Sequence, residues 1–267
     1  MSAKRLKYAL ITVLISLSMI SISQTMTGKL AVGPLSLIFQ LEQGETTTKD
    51  ISIHNTGDES IQVNLDFDSW WRKPDKKEAE KVLERECSEW VLFSPSSLSL
   101  DPDERGNVSV QLAVPEGVSG DHWAMLMVSE KPQPVEEEQP VTTRLSISYG
   151  IKILQKDPLN RVKEAKITKI QLIQKNPLHL EINYSNTGSA HLQTTGKVEI
   201  RNLQGETVKK FKIDKFPTLP GESRELEVGG KEGGERLEPG QYYAIAVMDF
   251  GGDHLIQGGL PINIPKG

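Results

Sequence analysis

The chain has 267 residues, enough for two cores of ordinary size, since one domain takes about 100 to 150. A hydrophobic share of 37%, a charged share of 25%, and 22 Gly with 15 Pro describe a globular, turn-rich chain of the all-β kind. The net charge of -5 excludes the general basic face that nucleic acid or an anionic membrane would require.

At the N-terminus, Lys4, Arg5 and Lys7 precede an apolar run from Tyr8 to Ile22, with small residues at Ser21 and Ser23. This pattern predicts a signal peptide over residues 1–23, cleaved after Ser23. The run carries Thr12, Ser16 and Ser18 and is shorter than the roughly 20 apolar residues of a membrane span, so an uncleaved anchor is the alternative and the one membrane attachment expected. The mature protein is therefore expected in the periplasm or another extracytoplasmic space. Cys87 is the single cysteine, which rules out an intrachain disulfide and leaves packing to hold the fold.

A first module is expected over residues 29–156. Leu35 to Phe39 is extended, Gly44-Glu45 turns the chain, and Thr46 to Ile53 forms the next strand. After a turn at Asn55-Thr56-Gly57-Asp58, Ile61, Val63, Leu65 and Phe67 alternate with Gln62, Asn64, Asp66 and Asp68, one face buried and one wet. Pro74 and Asp75 then open a short surface helix over Lys73 to Cys87, with Ala79, Val82 and Leu83 at helical spacing. Trp90 to Phe93, Asn107 to Val114 and Trp123 to Val128 resume strand structure. Ser129 to Thr143 is a loop rich in Pro and Glu, and Arg144 to Leu154 is the longest unbroken alternation in the chain. In that run Leu145, Ile147, Tyr149, Ile151 and Ile153 share one face.

Asp157-Pro158 marks a hinge, and a second module is expected over 160–265. Its strands are read at 165–173, 178–184, 197–202, 208–213, 225–228, 242–250 and 254–264. Three patterns recur between the modules in one order. Asn55-Thr56-Gly57 is answered by Asn186-Thr187-Gly188, Leu100-Asp101-Pro102-Asp103-Glu104 by Leu219-Pro220-Gly221-Glu222, and Gly120-Asp121-His122-Trp123-Ala124 by Gly240-Gln241-Tyr242-Tyr243-Ala244. Repetition of turn and strand-start signals predicts two tandem immunoglobulin-like β-sandwiches.

Catalysis finds no constellation to carry it. The five histidines are scattered, with no His-x-x-x-His pair and no Gly-x-Ser-x-Gly elbow. Asp249, Asp253 and His254 surround a Gly-Gly turn, where Asp serves the backbone, so no metal and no cofactor are expected. Adjacent Trp70 and Trp71 must face opposite ways on a strand; one packs under the inserted helix or remains exposed as a surface contact for a sugar or a partner side chain.

The order of an Asn-x-Gly-Asp turn, a strand ending in Asp68-Ser69-Trp70, a helical excursion, Trp90-Val91 before Ser94-Pro95, Leu100-Asp101-Pro102, Val114-Pro115 and a Gly-x-aromatic-x-Ala strand resembles the N-terminal domain of PapD-like periplasmic chaperones of pilus assembly. The loop before the last strand and the Asp249-Phe250-Gly251-Gly252 turn extend the resemblance over nearly the whole mature chain. The resemblance implies a non-enzymatic chaperone that binds an exported, pilin-like subunit by β-strand addition and delivers it to an outer-membrane usher. It places the subunit-binding residues at Leu145, Ile147, Tyr149, Ile151 and Lys152. The family anchors the subunit's terminal carboxylate with an Arg in the first strand and a Lys in the donated strand. Here Leu35, Ser36 and Leu37 fill the first strand, Gly150 stands at the Lys position, and Lys152 is the nearby substitute on the same face. Two alternatives remain: the 144–154 strand is an ordinary core strand, or the protein is an envelope or cell-surface scaffold that binds wall polymer or another surface protein. Gram-positive surface proteins with two sandwich domains behind a signal peptide share that second plan.

Overall fold

The computed structural model describes residues 29–68, 82–131, 148–230 and 236–265. The first strand splits at Pro34, which has no N–H to offer a ladder. Before it, β1 (Leu30–Gly33) pairs antiparallel with β3 (Thr46–Asn55); after it, β2 (Ser36–Gln40) crosses to the opposite sheet. The remaining strands of this sandwich are β4 (Ile61–Phe67), β5 (Val91–Ser94), β6 (Ser97–Leu100), β7 (Arg105–Ala113), β8 (His122–Glu130) and β9 (Ser148–Lys156). They form one sheet in the order β1-β3-β7-β5 and another in the order β2-β9-β8-β4-β6. Their inner faces close on Phe39, Ile51, Ile53, Val108, Val110, Leu112, Leu126, Ile151 and Ile153, all 0% exposed.

The second sandwich places β10 (Ala165–Gln174), β11 (His179–Asn186) and β14 (Ser223–Gly229) against β12 (Leu192–Asn202), β13 (Thr207–Thr218), β15 (Gly240–Asp249) and β16 (Ile256–Ile264). Tyr184, Leu180, Ile182, Ala244 and Met248 fill its core. The two-sandwich architecture read from the turns is thus the one observed. The strands β1 and β6 were not expected: four residues each is too short for an alternation to register. Of the inserted helix, Val82 and Leu83 are helical, and their carbonyls accept from Arg85 and Glu86 N–H at 3.3 and 3.0 Å. The rest of that insertion lies outside the described residues.

The repeated turns have an atomic reason. Asn55, fully buried at the end of β3, donates its amide to the carbonyls of Glu59, Leu100 and Asp101 at 2.8, 3.0 and 3.1 Å, while its Oδ1 accepts Gly57 N–H at 3.0 Å. Asn186, equally buried at the end of β11, donates to Ala190, Thr218 and Leu219 at 2.9, 3.4 and 2.9 Å and accepts from Gly188 at 3.1 Å. In each module the glutamate of the second turn closes that turn on itself: Glu104 accepts Asp101 N–H at 2.7 Å and Glu222 accepts Leu219 N–H at 2.8 Å. Asp103, with φ 62, therefore occupies the left-handed position that Gly221 fills at φ 80.

Replacing either Asn55 or Asn186 by Ala should cost about 2 to 3 kcal/mol, because several buried carbonyls lose their donor at once. Urea denaturation of the two variants checks this. A loss below about 0.5 kcal/mol at either site would show that the amide is not what ties the turns.

Candidate partner-binding edge

Two strands flank β9 unequally. On one side β8 pairs with it from Ser148 to Gln155; on the other, β2 reaches it from Lys152 to Lys156. The Lys152 N–H donates to the Leu35 carbonyl at 3.1 Å, so the main-chain groups of even-numbered residues point toward the β2 side. It follows that the N–H and C=O of Ser148 and Gly150 face an edge where no described strand lies. Beside it stand Leu35, just before β2, and Ile38 on β2, 50% and 42% exposed.

Side chains along β9 divide by parity. Tyr149 is half-buried, and its hydroxyl donates to the Leu30 carbonyl at 2.6 Å, spanning the two sheets. Ile151 is 0% exposed and belongs to the sandwich core. That is a correction: the shared face of the alternation is turned inward here, so Ile151 has no side-chain surface to present while the sandwich is intact. Gly150 and Lys152 lie on the opposite face. A Cβ at Gly150 would lie 2.9 Å from Met125 Sδ and 3.5 Å from Met127 Sδ, which puts two flexible thioethers against the open stretch. Leu145 and Ile147, and likewise Trp70 and Trp71, lie outside the described residues.

The far end of β9 is clamped. Gln155, 1% exposed, accepts His122 N–H at 3.1 Å and donates to the Leu41 carbonyl at 2.9 Å. Just beyond it, the two sandwiches meet around Asp121, which is fully buried. Its Oδ2 accepts from His191 N–H at 2.7 Å and Arg161 Nη2 at 2.9 Å, and His191 Nδ1 stands 3.2 Å away. Its Oδ1 accepts Asp157 N–H at 3.1 Å, and its own N–H donates to Ser189 O at 2.7 Å. Gly120 beside it has φ 79, and a Cβ there would come within 2.7 Å of Ser189 Cβ, so only Gly allows the seam to close. Trp123 finishes the seam: it packs with Val82 and with Leu219 of the second sandwich, and its indole N–H donates to Val82 O at 2.9 Å.

Burial pushes the Asp121 carboxyl up, but the hydrogen bonds from His191 and the nearby charges of His191 and Arg161 outweigh it and hold the group below its ordinary 3.8. Because the folded value is depressed, the seam's stability from this group is present above 3.8 and is lost as pH falls through the folded value. In the sequence Asp157-Pro158 announces a hinge, whereas Asp121 carries no such local mark. The one available signal was a mismatch in the repeat, where Gln241 stands opposite Asp121. Asp121→Ala should lose about 3 kcal/mol in urea denaturation and increase the radius of gyration in X-ray scattering. An unchanged scattering profile would show that the seam is held by other contacts.

Other groups with chemical potential are committed to structure. Asp249 Oδ1 accepts Gly251 N–H at 2.9 Å, the turn role expected of it, and the His254 ring packs edge-on against Phe250. Burial pushes the Cys87 thiol far up, at 1% exposure. A thiol reagent should therefore modify Cys87 only after denaturant is added; rapid labelling of the native protein would contradict its enclosure.

No family model matches this sequence, and no curated protein matches it. Solved structures similar to it include the YadV chaperone, at 13% identity and TM-score 0.45, covering 88% of this chain and 100% of that one. The class 5 fimbriae chaperone CfaA is 11% identical at TM-score 0.47, covering 89% and 100%. The E. coli chaperone DraB is 15% identical at TM-score 0.43, covering 86% and 98%.

Proposed function

We propose that this chain is an extracytoplasmic, chaperone-like binding protein that captures an exported, pilin-like subunit by strand addition along the open half of β9. The observation that carries this reading is the half-covered edge: Ser148 and Gly150 present main-chain donors and acceptors in line with β2, which serves β9 from Lys152 onward. An exposed edge of this kind is an aggregation hazard unless it has a use. Four other edges are managed: β1, β5 and β6 are four residues each, and β13 carries Lys209, Lys210, Lys212 and Lys215. Main-chain bonds from the open edge supply affinity, and side chains preceding Ser148, with Leu145 and Ile147 foremost, supply specificity. Lys152 offers the nearby positive charge. The binding act covers the subunit's unpaired edge until assembly, with an outer-membrane usher as the expected receiver, and requires no cofactor.

Two substitutions separate binding from folding. Ile147→Lys should abolish capture of the subunit while leaving the thermal melt near that of the parent. Ile151→Lys should unfold the first sandwich, since it buries an unpaired charge in the core. Co-purification from envelope extract, with the captured protein identified by mass spectrometry, reads the first; circular dichroism reads both. Undiminished capture by Ile147→Lys would remove this strand from the mechanism.

A further inference from the structure

Trp123 and Tyr243 hold the same place in the two modules. Each stands three residues after a repeated glycine, Gly120 or Gly240, and each precedes an alanine that enters the core, Ala124 or Ala244. Both side chains therefore point to the outer face of their sheet. Their fates differ. Trp123 is 0% exposed under Val82 and Leu219, whereas Tyr243 is 49% exposed. Among the described residues, the second module has no counterpart of the Val82 segment that covers Trp123.

Around Tyr243, β15 and β16 together with Leu203 just past β12 form a shallow depression of about 390 Å³, lined by Leu203, Gln241, Tyr242, Tyr243, Pro261, Ile262 and Asn263. That volume falls within the range of small-ligand sites, roughly 300 to 1,000 Å³. Strand register places Pro261 directly across from Tyr243 on one side and Arg201 on the other, and it sets Gln241 opposite Asn263. The charge nearby is already spent: Arg201 and Lys197 both pair with Glu199 between them. What the depression offers is an exposed aromatic residue, an apolar rim and two amides, each both donor and acceptor, with no charged group among the described residues that line it.

We propose that this depression binds a neutral saccharide, one ring stacked on Tyr243 and its hydroxyls paired with Gln241 and Asn263. A sugar ring matches the lining point for point, because its C–H face is apolar and its rim carries hydroxyls that donate and accept. An anionic ligand would find no unpaired cation among the described residues there, and a purely apolar one would strand both amides. This site is independent of the β9 edge and stands whether or not that edge captures a strand.

The test uses the full mature chain and two neutral probes, the N-acetylglucosamine tetramer and cellotetraose, in saturation-transfer NMR and calorimetry. At least one probe should show transfer to its ring protons. Tyr243→Ala should weaken that binding about tenfold, with the melting transition unchanged because the side chain lies outside the core. Absence of transfer to both probes would overturn the proposal, as would binding that Tyr243→Ala leaves intact. Tighter binding of tetragalacturonate than of either neutral probe would overturn the neutral class. A dimer in analytical ultracentrifugation that Tyr243→Ala dissociates would instead make this face a contact between copies.

Discussion

The first strand of the chain cannot serve two sheets at full length. Leu30–Gly33 is spent on β3, and after Pro34 the segment that reaches β9 is five residues long. Backbone donors and acceptors have to find partners, so the length of β2 decides how much of β9 is finished within the chain. The pairing stops at Lys152, and the main-chain groups of Ser148 and Gly150 face that edge with no described strand beside them. The clamped end at Gln155 and the open end at Ser148 are consequences of one crossing between sheets.

The modules share a device and differ in what covers them. In both, a buried asparagine amide bridges two turns, which is why the Asn-x-Gly and Pro-x-Glu patterns travel together. The structure also refines their register: Glu104 matches Glu222 and Pro102 matches Pro220, so Leu219 falls opposite Asp101 and is free to reach across the seam to Trp123. Asp121 draws donors from the hinge and from the second sandwich, so that the two modules meet through a charge with no counterpart at Gln241.

Much of this was legible beforehand where local chemistry repeats. Alternation over Ile61 to Phe67 returns β4 with the same bounds, and the turn residues announce two sandwiches. Alternation reports that one face is apolar but not what covers it, and so Ile151 reads equally as a core residue and as a contact. Structure puts it in the core. Asp121 escaped notice because its partners Arg161 and His191 lie 40 and 70 residues away, beyond any local pattern. The split first strand escaped because four residues hold too little periodicity to separate Leu30–Gly33 from a loop.

Enclosure of the single thiol has a consequence for where this protein can exist as a folded molecule. With Cys87 inside the first core and no second cysteine, no step of folding waits for an oxidant, and no reductant can undo a bond that was never made. The two sandwiches are equally stable in a reducing or an oxidising medium. The redox state of the surrounding medium therefore does not decide whether this fold forms.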